Sequence, residues 1–227
     1  MNASLSQYLR PGPTVQSDDD AVVGFTRRSI GVETRAKEQA VLLYYAVRDN
    51  IRYDGYDLDI SETGLSARRT LELGRGWCIS KSILLAACCR SIGIPARLGY
   101  ADVRNHLSTK KMRDTMGTDV FFWHGYTSIY LDGRWLKATP AFNLGLCHRF
   151  QLRPLDFDGT EDSIYHPYDL EGRRHMEYVN ERGEYAEPPI AEILETYQRE
   201  YPKWKLLEGG ISGDFETDVF IETGIEG

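Results

Sequence analysis

The sequence predicts an α+β protein in which one buried helix packs on an antiparallel sheet. Three stretches carry that expectation. The first is Gly74-Arg75-Gly76-Trp77-Cys78 and the apolar run Ile79 to Ile94 behind it. Ile79, Ile83, Leu84, Ala87, Cys88 and Ile92 recur at helical spacing, and Leu85 and Ala86 widen the stripe. A helix that apolar belongs in a core. Gly93 and Pro95 close it, because proline cannot continue a helix. The second stretch is Val120 to Leu131, rich in aromatic and β-branched residues. Asp132-Gly133 then makes a favoured hairpin turn into Arg134-Trp135-Leu136-Lys137-Ala138. The third is Glu33 to Ile51, a helix with Ala40, Leu43, Tyr44 and Val47 on one face.

Composition narrows the function classes. The 227 residues are 41% hydrophobic and 27% charged, which is ordinary for a soluble chain with material for a core. A net charge of −7 argues against nucleic acid as a partner. The four cysteines show no disulfide framework, so they read as reduced thiols in a cytoplasmic protein. The first residues lack a basic start before an apolar core, so no signal peptide is expected. No apolar run approaches a membrane span, and no membrane partner is expected.

The remaining elements follow in order. Residues 1–16, with Pro11-Gly12-Pro13, read as an extended lead-in and a candidate first strand. Ser17-Asp18-Asp19-Asp20 starts a helix ahead of Ala21. Tyr53 to Ile60 is a tyrosine-rich loop, and Ser66 to Leu73 a short helix. Ala96 to Val103 has strand character. Arg104 to Gly117 reads as a polar mobile loop, with His106 in it. Phe150 to Leu155 and Met176 to Val179 are expected strands, and Glu181 to Glu184 a turn. Pro188-Pro189 opens a helix from Ile190 to about Tyr201. One domain over 1–205 is expected, with 206–227 as a loosely held tail.

Cys78 and His124 stand out chemically. The nucleophile of a thiol enzyme is the thiolate, and a free cysteine is mostly protonated near neutrality. A helix N-terminus offers unpaired N–H groups and the positive end of the macrodipole, both of which favour an anion. Cysteine is also a common core residue. The glycine-tryptophan lead-in and the helix-start position favour function for Cys78. His124 lies at the start of a strand, with Gly125 leaving room beside it. Paired with Cys78 it becomes a candidate general base.

The order and spacing of these pieces resemble the transglutaminase-like superfamily. The likeness rests on the Gly-x-Cys lead into an apolar helix and on Ile92-Gly93-Ile94-Pro95-Ala96-Arg97. It continues through the strand opening with His124, then Asp132-Gly133-Arg134-Trp135, with Val47 to Tyr53 upstream. It covers roughly residues 35–145. The resemblance implies a papain-like α+β fold, with Cys78 as nucleophile and His124 as base. It further implies acyl transfer at amide bonds of a peptide or protein substrate, without a cofactor or metal. Water as acceptor gives hydrolysis, and a lysine amine gives cross-linking.

The third catalytic position departs from the family. Thr139-Pro140 stands where the family carries Asp-Pro. A threonine hydroxyl can accept from an imidazole N–H but carries no charge to stabilise an imidazolium. Asn143 is the other candidate to orient His124, through its amide oxygen. Asp156 or Asp158 could return the carboxylate from a later strand, although Asp158-Gly159 reads as a turn. A site degenerate in turnover, keeping only peptide or acyl binding, is the alternative. Trp77 and Trp123 flank the pair in sequence, as walls of an acyl groove or as core aromatics. An arylamine-type acyltransferase would need an acyl-coenzyme A pocket, for which the sequence gives no sign. Cys147-His148 lacks the spacing of a zinc site.

Overall fold

The computed structural model describes residues 3–105, 108–164, 168, 170–172, 175–204 and 210–225. His106 and residues 206–209 lie outside the described residues. A short N-terminal helix, α1 (Ala3–Ser6), runs into a 3₁₀ turn at Gln7–Leu9. This corrects the expected first strand. Tyr8 meets the Trp135 ring edge-on at 5.3 Å, so a ring contact rather than strand pairing fixes the segment. Helix α2 (Asp20–Ile30) begins where the aspartate run predicts, with Asp19 Oδ1 accepting Ala21 N–H at 2.8 Å. Helix α3 (Ala36–Asn50) buries Ala40, Leu43, Tyr44 and Val47, as its stripe requires.

A short parallel pair, β1 (Arg52–Tyr53) and β2 (Arg75–Gly76), ties the end of α3 to the cysteine loop. Between them lies α4 (Ala67–Leu73), capped by Ser66 and ended by Gly74 at φ +60°. Helix α5 (Cys78–Ser91) is buried from Cys78 to Arg90. It packs against α2, α3, α4, β3 and β4. Burying each large aliphatic side chain on it is worth roughly 1.5–3 kcal/mol relative to exposure.

The main sheet is antiparallel in the order β5-β4-β3-β6. Its strands are β3 (Ala96–Asn105), β4 (Val120–Leu131), β5 (Arg134–Ala138) and β6 (Met176–Tyr185). The α+β expectation of a central helix on an antiparallel sheet holds. Four details differ. Helix α6 (Lys110–Met116) replaces the expected loop, because Thr109 Oγ1 accepts Met112 N–H at 3.2 Å and caps it. Phe150 to Leu155 forms no strand, since α7 (Leu144–Arg149) ends there and Leu152 N–H turns back to Cys147 O. β6 runs through the expected turn at Glu181 to Glu184, absorbing it as register shifts against β3. After α8 (Ile190–Glu200), the expected tail contains α9 (Phe215–Thr223). Asp214 caps α9, and Phe215 is buried against the rings of Tyr53 and Tyr56.

Two cations on α5 are buried. Arg90 donates to Arg10 O at 3.0 Å, Ala96 O at 2.8 Å and Ala186 O at 2.6 Å. Lys81 donates to Arg48 O and Ile51 O, holding the end of α3 against the first turns of α5. Burial lowers the Lys81 ammonium from 10.5 to about 7. A lysine with a depressed folded pKa binds its proton more readily when unfolded, so stability rises with pH above the folded value. Between pH 7 and 9, below the ordinary lysine range, that gain is about 2 kcal/mol. The four buried thiols, raised by burial, act in the opposite sense over the same range, so the effect is read as a difference: the urea-unfolding stability of wild type minus that of Lys81→Met should grow by about 2 kcal/mol from pH 7 to 9.

Candidate active site

Cys78 is the first residue of α5, with Trp77 at the N-cap. The local fold follows from two small residues. Gly76 lies against Ser80 so closely that a Cβ there would clash. Ser80 Oγ in turn accepts Trp77 N–H at 3.0 Å, one of the donors left over at a helix start. On the sheet side, Gly125 lets β4 touch the first turn of α5. A Cβ at 125 would come 2.9 Å from Ile79 Cα and 3.1 Å from Cys78 O. His124, the neighbour of Gly125, thereby reaches the head of the helix. Cys78 and His124 line one cavity of about 30 Å³, which also takes in Trp77, Tyr53 and Phe142.

The electrostatics of the pair are those of a dry site. The backbone N–H groups of Gly125, Ile79 and Cys78 itself act on the sulfur in the direction that favours the thiolate. Burial outweighs them and pushes the Cys78 thiol up to about 11. Burial, with a smaller contribution from the charge of His175, brings His124 down to about 4. The resting pair is therefore a neutral thiol and a neutral imidazole.

A β-bulge precedes His124. Ala101 pairs with His124 and Val103 with Phe121, so Asp102 alone faces both Phe122 and Trp123. Trp123 takes φ +59°, a strained value for a bulky residue. Buried Asp102 holds that backbone, accepting Trp123 N–H at 3.1 Å and the Arg182 guanidinium at 2.8–2.9 Å. The Trp123 ring packs instead against Tyr100 at 5.6 Å and Tyr185 at 6.2 Å, with the Arg182 guanidinium carbon 5.2 Å from it. Trp77 lines the cavity. Trp123 does not, because the bulge turns it into the aromatic cluster.

The candidates for the third position separate. Thr139 is buried at the end of β5, and its carbonyl accepts the Tyr44 hydroxyl at 3.3 Å. Its Oγ1 has no hydrogen-bond partner among the described residues. It lines a second cavity of about 10 Å³ with Phe142 and His175. Phe142 walls both cavities. Asn143 is taken up elsewhere, its Oδ1 accepting Tyr53 N–H at 3.1 Å at the start of α7. Asp156 pairs with Arg48 at 3.4 Å, and Asp158 closes a turn by accepting Thr160 N–H at 2.7 Å. His175, buried beside β6, is the group that sequence reasoning missed. No motif or spacing marks it.

All four cysteines are free thiols, and no cluster suited to a metal ion occurs among the described residues. Cys147 is buried while His148 is exposed, so the two do not converge. Among the described residues, no helix is long and apolar enough to cross a membrane.

A family model described as the transglutaminase-like superfamily matches residues 24–140, just over half of the chain. No curated protein matches. Among solved structures, the chain is similar to a proposed cysteine protease of Cytophaga hutchinsonii, at 22% identity and a TM-score of 0.48. That match covers 62% of this chain and 43% of the other. It is also similar to a proposed protease of Parabacteroides distasonis, at 13% identity and a TM-score of 0.37, covering 56% and 26%. The chain thus spans less than half the length of either protein.

Proposed function

Because this chain belongs to the transglutaminase-like superfamily, we propose that it carries out cysteine-dependent acyl transfer at amide bonds of a peptide or protein, with Cys78 as nucleophile and His124 as base. The observation that supports it is the shared cavity of Cys78 and His124 at the head of α5. His124, neutral at rest, takes the thiol proton as the sulfur attacks the carbonyl carbon. An S–C bond forms and the carbonyl becomes an oxyanion, for which Cys78 N–H is the first donor. Collapse breaks the C–N bond, and the imidazolium gives its proton to the departing amine. Water or a second amine then attacks the thioester and frees the thiol. Thr139 Oγ1 is the acceptor proposed to orient the imidazole, with His175 near the same ring.

A binding module without turnover is the second reading. The burial of both groups and the missing carboxylate favour it.

Alkylation by iodoacetamide, followed by intact mass, separates the two. Under the enzyme reading Cys78 labels before Cys88, Cys89 and Cys147, and His124→Ala slows it by about tenfold or more. Equal rates in wild type and His124→Ala would end the proposed dyad. The pH profile has a distinct form. With His124 near 4 and Cys78 near 11, the neutral pair persists between those values. The rate should therefore show no inflection in the ordinary histidine range. It should fall only as pH drops toward 4, and rise as the thiol ionises at high pH.

A further inference from the structure

Resting on the thiol reading above, we infer that the Cys78 site selects amides whose acyl side carries a large, uncharged, apolar group, such as a phenylalanyl or leucyl residue. The cavity wall supplies the argument. Among the described residues, no Lys, Arg, Asp or Glu side chain lines it. Its apolar lining includes Phe121, Phe122, Met112, Met116, Met176 and Trp204. Two of its polar side chains are committed to the sheet. The Tyr201 hydroxyl accepts Phe122 N–H at 3.0 Å, and the Tyr197 hydroxyl donates to Phe122 O at 3.1 Å. Both hydroxyls are thus anchored on the Phe122 backbone, and the two tyrosines line the cavity. A carboxylate or ammonium entering the cavity would lose its water without gaining a charged partner, which is costly. An apolar group gains from the same transfer.

The size of the cavity fits this selection only if the wall yields. About 30 Å³ holds roughly two waters and no side chain. Three of the lining residues are methionines, from α6 and the start of β6. Methionine is unbranched and repacks around apolar guests at low cost. The opening is thus adaptable in shape while remaining apolar in character. Specificity of this kind discriminates charge strongly and apolar shape weakly.

Peptidyl chloromethyl ketones test the inference. The thiolate displaces chloride at the methylene carbon, so an S–C bond forms, a C–Cl bond breaks, and the thiol proton leaves with the base. N-acetyl-phenylalanyl and N-acetyl-leucyl chloromethyl ketones are compared with the aspartyl and lysyl reagents. Each rate on Cys78 is divided by that reagent's rate with glutathione. The apolar pair should label faster by about tenfold or more, the scale on which pockets discriminate side chains. Met112→Lys, which introduces a cation into the wall, should raise the aspartyl rate relative to the phenylalanyl rate. Should that variant not fold, the wild-type ratio decides alone. Equal normalised rates for charged and apolar reagents, with iodoacetamide still labelling Cys78 in a His124-dependent way, would overturn the inference and leave the thiol reading standing. Absence of labelling by every reagent, iodoacetamide included, would overturn both.

Discussion

Cys78→Ala is expected to abolish turnover of any amide that the wild-type protein cleaves, lowering kcat by roughly 10⁴-fold or more. In the proposed mechanism the nucleophile and its base act as a unit. Without sulfur, neither the thioester nor its tetrahedral precursor can form. His124→Ala should cost nearly as much, because a thiol held near 11 has almost no thiolate at neutral pH without a base to take its proton. The double variant should then be scarcely slower than either single one, as groups acting in one step are strongly non-additive. Release of aminomethylcoumarin from a peptidyl amide measures all three. Turnover by Cys78→Ala within tenfold of wild type would place the chemistry elsewhere.

Gly125→Val is expected to cost about 3 kcal/mol of stability, the scale of an overpacked core. The atoms it would strike are Ile79 Cα and Cys78 O, at 2.9 and 3.1 Å from a Cβ at this position. Both are backbone of the first turn of α5, so no side chain can swing away. The helix head must lift from β4 or the strand must bend. Either movement separates Cys78 from His124, and a misplacement of about 1 Å can cost 10²-fold in rate. Urea unfolding gives the stability, and the coumarin assay on the folded protein gives the rate. A Gly125→Val variant as stable as wild type would show that the helix head and the strand are not in firm contact.

Much of the framework was legible in the sequence because it rests on periodicity and turn chemistry. The apolar run after Cys78, the aromatic strand before Asp132-Gly133 and the stripe of Ala40, Leu43, Tyr44 and Val47 all mark elements that form. Other elements carry fainter marks. Helices α6 and α9 are short, and their signals are single caps, Thr109 and Asp214, with Gly117 and Gly224 behind them. A strict alternation along β4 gives Trp123 no reason to leave the groove. The bulge opposite Asp102 does that, and a bulge depends on the partner strand. The proposed third position was harder still. Sequence proximity drew attention to Asn143, which binds Tyr53 N–H instead. His175 reaches His124 only through the folding back of β6, far along the chain, and its own neighbours in sequence say nothing of it.

The Arg90 guanidinium has a consequence for where the smallest self-sufficient unit of this protein ends. Two of its three carbonyl acceptors, Arg10 O and Ala186 O, lie outside the family-matched stretch of residues 24–140. A chain trimmed to that stretch would keep α5 yet leave the Arg90 cation in its interior, facing only Ala96 O. The flanking segments are thus staples that neutralise a liability created by the core itself. The residues that satisfy this cation extend beyond the family-matched stretch at both ends.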